Sequence, residues 1–211
     1  MKKSLSMYNI EPTDAIRYSK LFNRIKWEFP WFFDQVKDQI SDTEFQIQKW
    51  WANRIDLIDK KVNILSSGIG FYSVPFCYEK CAKHINAYDM DPTTDILSRD
   101  INRFYFPIFE HHQNNIIFDR ELLDVSADIW INTSCEHSYY MKDIIPTGKL
   151  CVLSGNDCSK RGHINLINSV DQLINQTGLS SILFTDTMQF NFEDDMGKQE
   201  YNQYFAIGIK E

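Results

Sequence analysis

The sequence predicts an α/β fold: a mostly parallel, seven-stranded sheet that closes with an antiparallel hairpin and carries an N-terminal helical cover. Three observations predict it. From Lys61 onwards short apolar runs alternate with helix-length segments, the rhythm of a parallel sheet with crossover helices. The run Val62–Leu65 stops at Ser66-Ser67-Gly68-Ile69-Gly70-Phe71, and the run Ile85–Tyr88 stops at Asp89-Met90-Asp91-Pro92, so strand, tight turn, helix and strand make one βαβ unit. Near the end, Leu179–Met188 and Tyr201–Ile209 leave no room for a crossover helix, and strands joined by a short loop are antiparallel.

Residues 1–60 read as the helical cover. Pro12 suits a first helical turn, and Ile16, Leu21 and Ile25 give an apolar stripe across Asp14–Lys26. Trp27-Glu28-Phe29-Pro30-Trp31-Phe32-Phe33 places five aromatics in seven residues, and Pro30 restarts a short helix through Ile40. Ser41-Asp42-Thr43-Glu44 is a capping box that opens a long helix through Phe45, Ile47, Trp50, Trp51, Ile55 and Ile58. The aromatics read first as packing of this layer on the sheet; a lid over a ligand mouth is the functional alternative.

The second part, residues 61–211, reads as a single domain. Strand one is Val62–Leu65, followed by a helix over Ser73–Lys83; Pro75 is tolerated in its first turn. Strand two is Ile85–Asp89, then a helix over Pro92–Phe104. Strand three is Asn115–Phe118, ending at Asp119. Strand four is Asp128–Asn132, with Thr133-Ser134-Cys135-Glu136-His137 as its loop and a short helix after it. Pro146-Thr147-Gly148 turns into strand five, Lys149–Leu153, whose exit loop is Ser154-Gly155-Asn156-Asp157. A helix over Ser169–Gln176 precedes the closing hairpin, whose acidic loop is Asn191-Phe192-Glu193-Asp194-Asp195.

With 211 residues, 43% hydrophobic and 14% aromatic, the chain can bury a sizeable core. A net charge of -7 weighs against a partner gripped through phosphates. No apolar run approaches the ~20 residues of a membrane span, and Met1-Lys2-Lys3-Ser4-Leu5-Ser6 leads into polar residues rather than an apolar leader. The cysteines, Cys77, Cys81, Cys135, Cys151 and Cys158, are odd in number and sit in or beside apolar segments, which reads as reduced thiols and a cytoplasmic setting.

Gly68 and Gly70 let the backbone turn sharply and approach a ligand without Cβ obstruction. Asp89 follows them by about 20 residues, the interval at which a carboxylate meets a ribose hydroxyl pair. The loop Asn132–His137 leaves the carboxyl edge of strand four, where open α/β sheets place ligands. Glu136 or His137 is a candidate general base, while Asn156, Asp157 and His163 come from the strand-five side of the same cleft as candidate substrate contacts. A reading of another class takes Cys135, Glu136, His137, Asp157, Cys158 and His163, with His111 and His112 as outliers, as a metal-binding set. There is no Cys-x-x-Cys and no His-Glu-x-x-His, and adjacent residues converge on one ion only through an unusual turn, so no metal is expected.

Ser66-Ser67-Gly68-Ile69-Gly70-Phe71-Tyr72, Tyr88-Asp89-Met90-Asp91-Pro92 and Asn132-Thr133-Ser134-Cys135-Glu136-His137, with the closing hairpin, resemble the class I S-adenosylmethionine-dependent methyltransferases over roughly residues 60–211. The run Asn-Thr-Ser-Cys-Glu-His, with the later Ser-Gly-Asn-Asp and Gly-His-Ile-Asn, is similar to a methyltransferase-like group of phage and bacterial genomes. The resemblance implies a Rossmann-like three-layer sandwich with S-adenosylmethionine as cofactor. It implies cofactor contacts from Ser66, Gly68, Gly70, Asp89 (ribose), Met90 (adenine), Asp119 (adenine amino group) and Asn132 (methionine amino group or acceptor). Ser66 stands where that family usually has an acid, which removes one contact to the cofactor's amino group; Tyr72 replaces a third glycine and crowds the turn. The implied activity is methyl transfer; the acidic balance favours a small molecule over nucleic acid as acceptor, and no membrane partner is expected. Methyl transfer is an in-line displacement helped chiefly by alignment, and a base is needed only where the acceptor must lose a proton. The alternatives are a non-methylating user of the cofactor (cleavage or aminocarboxypropyl transfer), a metal-dependent hydrolase, and a non-catalytic cofactor-binding interaction protein.

Overall fold

In a computed structural model that describes residues 20, 22–28, 30, 33, 36–138, 141–159, 163–194 and 197–211, the strands are β1 (Lys61–Leu65), β2 (His84–Asp89), β3 (Phe109–Gln113), β4 (Ile129–Asn132), β5 (Leu150–Asn156), β6 (Leu179–Asp194) and β7 (Gly197–Lys210). They form one sheet in the order β3-β2-β1-β4-β5-β7-β6. The first five are parallel, with Val62 of β1 level with Ile85 of β2 and Ile129 of β4. β7 runs antiparallel to both β5 and β6. The strand order reverses at β1/β4, the switch point outside which α/β sheets bind ligands.

Alternation along the central strands divides the core. Val62, Ile64, Ile85, Ala87, Ile129, Ile131 and Val152 face one layer, shared with Trp50 and Trp51 of helix α1 (Asp42–Ala52) and with Val74 and Cys77 of helix α2 (Ser73–Glu79). Leu65, Tyr88, Trp130, Cys151 and Leu153 face the other, against Ile145, Ile167 and Leu173 of helix α4 (Val170–Thr177). Asn63 and Asn86 are buried and in register across β1 and β2: Asn86 Nδ2 donates to Asn63 Oδ1 at 3.2 Å, and Asn63 Nδ2 donates to the Asp124 carbonyl. Helix α3 (Pro92–Ile101) starts at Asp91, whose side chain accepts from the Thr93 N–H. A third apolar cluster joins Ile25, Val36, Ile40 and Phe45 of the cover to Ile69, Phe71, Tyr72, Leu97 and Ile101.

The serine half of the predicted capping box forms, with the Glu44 N–H donating to Ser41 Oγ at 3.1 Å; the Glu44 carboxylate takes the Gln48 amide instead. Residues 22–28 are helical, whereas the earlier part of the predicted Asp14–Lys26 helix and Phe29, Trp31 and Phe32 lie outside the described residues. Several boundaries shift. α2 stops at Glu79 because Cys81 turns to a left-handed φ of 60°, and α3 stops at Ile101 before a 3₁₀ turn, Arg103–Tyr105.

Three strand predictions need correction. Strand three is Phe109–Gln113, not Asn115–Phe118: Phe109 and His111 point inward and Glu110 outward, an alternation that two histidines and a glutamate disguise. The more apolar Ile116-Ile117-Phe118 sits in the turn beyond it, closed by the Asn115 N–H donating to Asp119 Oδ2 at 3.2 Å. Strand five continues through Ser154, Gly155 and Asn156 because β7 offers partners at Phe205, Tyr204 and Gln203. Likewise Asn191–Asp194 belongs to β6 rather than to a loop.

Candidate functional site

The carboxyl ends of β1, β2 and β4 open into a cavity of about 390 Å³, within the size range of small-molecule sites. Its floor is the turn between β1 and α2. Ser66, Gly68 and Gly70 there have φ of 49°, 53° and 63°, a left-handed conformation natural for glycine and strained for serine. A Cβ on Gly70 would lie 2.8 Å from Val74 Cγ2, so this glycine lets α2 pack against the turn. The Gly68 N–H donates to Asp89 Oδ2 at 2.8 Å and the Asp91 N–H to Asp89 Oδ1 at 3.0 Å. Both oxygens keep a lone pair for a second donor. His111 braces the turn from below, with Nε2 3.3 Å from the Gly68 carbonyl and Nδ1 2.9 Å from Asp95. Burial alone would raise the Asp95 carboxyl, but the bonds from Arg99 and His111 hold it below its ordinary value.

Residues preceding β1, Gln39, Glu44 and Gln48, also line the cavity. Gln39 Oε1 accepts from the Ile69 N–H at 2.8 Å and occupies the space a Cβ on Gly68 would need. Tyr72 does not crowd the turn: its ring meets Phe45 and Phe71, and its hydroxyl donates to the Ile40 carbonyl at 3.0 Å, tying cover to turn. Gln48 donates to Glu44 Oε1 at 2.6 Å and to Thr133 Oγ1 at 2.7 Å, so α1 is fastened to the loop after β4. Burial pushes Glu44 up to about 7 against the lowering bond from Gln48. Asn114, directly after β3, lines the cavity and is 4% exposed; its Nδ2 donates to the Asp119 carbonyl, and its Oδ1 has no hydrogen-bond partner among the described residues.

After β4 the chain makes a 3₁₀ turn, Cys135–His137. His137 and Ser138 line the cavity; Glu136 does not and is 5% exposed. Glu136 Oε1 accepts from Asn156 Nδ2 at 2.8 Å, and Asn156 Oδ1 accepts from the Cys158 N–H. Burial, reinforced by the nearby Glu44, pushes Glu136 up to about 8. His163 Nδ1 lies 2.6 Å from the Cys158 carbonyl, and its ring packs edge-on to His137 with centroids 4.6 Å apart.

The predicted residues therefore separate into three groups. Ser66, Gly68, Gly70, Asp89, Met90 and His137 line one cavity, Met90 at 69% exposure on its rim. Glu136, Asn156 and His163 gather beside His137 without lining that cavity. Asn132, Asp157 and Asp119 lie off it. Asn132 is fully buried, with Oδ1 accepting from the Ser134 N–H and Nδ2 near Ser138 Oγ and Met141 Sδ, so its amide shapes the loop. Asp157 accepts from the Asn202 backbone and side chain and from the Tyr204 hydroxyl, pinning the end of β5 to β7. Gln39, Glu44, Gln48 and Asn114 also line the cavity, with no motif in the sequence to mark them. Asn114 was within reach of the sequence, since it follows β3 once that strand is placed correctly.

No family model matches the sequence, and no curated protein is similar to it at the sequence level. Solved structures share its fold. TehB from Haemophilus influenzae superposes with a TM-score of 0.60 at 10% identity, covering 85% of this chain and 66% of that one. A candidate RNA methyltransferase from Pyrococcus horikoshii superposes with a TM-score of 0.57 at 12% identity, covering 81% and 84%. TYW2 from M. jannaschii, solved in complex with S-adenosylmethionine, gives 0.55 at 12% identity, covering 80% and 77%. The architecture is thus the Rossmann-like fold of the class I S-adenosylmethionine-dependent methyltransferases, with their mostly parallel seven-stranded sheet and closing antiparallel hairpin.

Proposed function

We propose that the chain is an S-adenosylmethionine-dependent methyltransferase acting on a small molecule. The observation that carries this reading is the cavity wall itself. A left-handed turn at Gly68 and Gly70, the Asp89 carboxylate at the end of β2 and the unpartnered Asn114 Oδ1 after β3 share one cavity of about 390 Å³. The cofactor fits this donor and acceptor set. Asp89 would accept from the ribose hydroxyls, and Met90 would pack on the adenine at the rim. Asn114, rather than Asp119, would accept from the adenine amino group, since its oxygen is the buried acceptor in the wall. S-adenosylmethionine supplies an electrophilic methyl carbon, so the protein's share is alignment and exclusion of water.

The acceptor side belongs to the loop after β4 and to the cover. His137 is the cavity-facing titratable group of that loop, beside Glu44 of the cover; Glu136, off the cavity, holds the loop through Asn156. Residues 1–60 serve as cover for the domain 61–211, and Gln39, Glu44 and Gln48 put part of that cover in the wall. The net charge of -7 and the acidic Glu44 in the wall favour a small molecule over a polyanion. Among the described residues no helix is long and apolar enough to cross a membrane. The test is release of S-adenosylhomocysteine by purified protein given fractionated small-molecule metabolites, transfer RNA or duplex DNA. Stimulation by a small-molecule fraction is expected; stimulation by a nucleic acid alone contradicts the substrate class.

A further inference from the structure

We infer that Glu136, His137 and His163 form a binding site for a first-row divalent transition-metal ion at the edge of the cavity. One carboxylate oxygen and one nitrogen from each imidazole all lie within 4.8 Å of one another. Ligand atoms about 2.0–2.2 Å from one ion sit about 3.4 Å apart, so closure needs only small side-chain rotations. Glu136 and His137 are adjacent in sequence, which ordinarily sends two side chains apart; the 3₁₀ turn Cys135–His137 brings Glu136 Oε1 to 4.0 Å from His137 Nε2.

Two further features separate this cluster from a chance gathering of polar side chains. Glu136 is 5% exposed; Oε1, the oxygen nearer His137, already accepts from Asn156, while Oε2 has no hydrogen-bond partner among the described residues, so the buried carboxylate as a whole is under-satisfied, a condition a cation relieves. His163 Nδ1 sits 2.6 Å from the Cys158 carbonyl, a distance that requires Nδ1 to carry the proton and makes Nε2 the lone-pair nitrogen. Metal-binding histidines are oriented in this way by a backbone carbonyl behind the ring. The remaining second contacts are also present: Asn156 donates to Glu136 Oε1, and the Ile164 and Asn165 N–H groups donate to the Glu136 carbonyl at 2.9 and 3.0 Å, fixing the His163 segment against the turn.

Two imidazoles and a carboxylate suit zinc, iron(II), cobalt or manganese better than magnesium or calcium, and three protein ligands leave positions open. His137 alone of the three lines the cavity, so an open position would take a hydroxyl or carboxylate oxygen of the cavity's occupant. A metal-bound His137 cannot also serve as a base; activation of the acceptor oxygen would then fall to the ion.

The site is independent of the cofactor and is tested without it. Untagged protein, stripped with a chelator and dialysed, is titrated with Co²⁺ followed by its visible bands, then with Zn²⁺ by calorimetry. Saturation at about one ion per chain is expected, with bands of a low-coordinate Co²⁺ that Zn²⁺ displaces. His163→Ala and Glu136→Gln should each weaken Zn²⁺ binding by about tenfold or more, while Cys81→Ser, which removes the exposed thiol, changes nothing. Absence of saturable Co²⁺ binding by the unmodified protein, or binding that His163→Ala and Glu136→Gln leave intact, overturns the site. The Co²⁺ titration decides by itself if either variant fails to fold. Titration of the stripped protein with S-adenosylhomocysteine reports on the cofactor separately.

Discussion

Glu44 sits in the cavity wall with its carboxylate on Gln48, and burial raises it from an ordinary 4.5 to about 7. The folded protein therefore keeps a proton that the unfolded chain has released between about pH 4.5 and 7. Below that window both states are protonated and Glu44 contributes nothing; through it, unfolding is favoured as pH rises. Glu44→Gln removes this slope. In urea unfolding of ligand-free, metal-stripped protein, the variant should gain stability over the wild type as pH rises from 5 to 7.5, by at most about 3 kcal/mol. Parallel profiles would mean that Glu44 is well solvated. At this scale the sequence was partly legible. Gly68, Gly70 and Asp89 line the cavity, and their place is readable because each sits at the junction of an apolar run and a turn, where spacing constrains position. Asn132 and Asp157 look alike in sequence, polar residues beside a strand end, yet their side chains hold the backbone; nothing local distinguishes a loop-shaping amide from a ligand-facing one.

The helical cover shows how one element can divide its faces between stability and site. Trp50 of α1 stacks on Phe205 of β7 with centroids 4.6 Å apart, and its Nε1 donates to Asp186 Oδ2 at 2.8 Å. Gln48 and Glu44, on the same helix, reach the cavity. Trp50→Ala should lower unfolding free energy by about 3–5 kcal/mol through the lost transfer and the gap left over Phe205. The affinity of the folded variant for S-adenosylhomocysteine should stay within a few-fold of the wild type. A large loss of affinity with little loss of stability would make Trp50 part of a lid instead. The sheet's core strands were readable because apolar runs such as Ile129–Ile131 are buried on both faces. β3 was missed because its inward His111 is satisfied by Asp95 and the Gly68 carbonyl, partners that a sequence window cannot contain. The far end of β5 was missed because pairing with β7, not local propensity, extends it.

For the whole molecule, the decisive relation is between the sheet's switch point and the cover. Parallel strands β1, β2 and β4 deliver the glycine turn, Asp89 and His137 to one end of the sheet, and residues from Gln39 to Gln48 close over them. The alternation of strands and helices and the antiparallel end were enough to read this architecture. The docking of the cover was not readable, because it depends on single bonds such as Tyr72 to Ile40 and Gln48 to Thr133. We propose this space as a cradle for S-adenosylmethionine. Calorimetric titration with S-adenosylmethionine and S-adenosylhomocysteine, on the unmodified protein and on Asp89→Ala, tests it most directly. Saturable binding of both compounds at one site per chain is expected, with a loss of about tenfold or more in Asp89→Ala, as for a charge-assisted contact to the ribose. No binding of either compound by the unmodified protein, or equal affinity in Asp89→Ala, would contradict it.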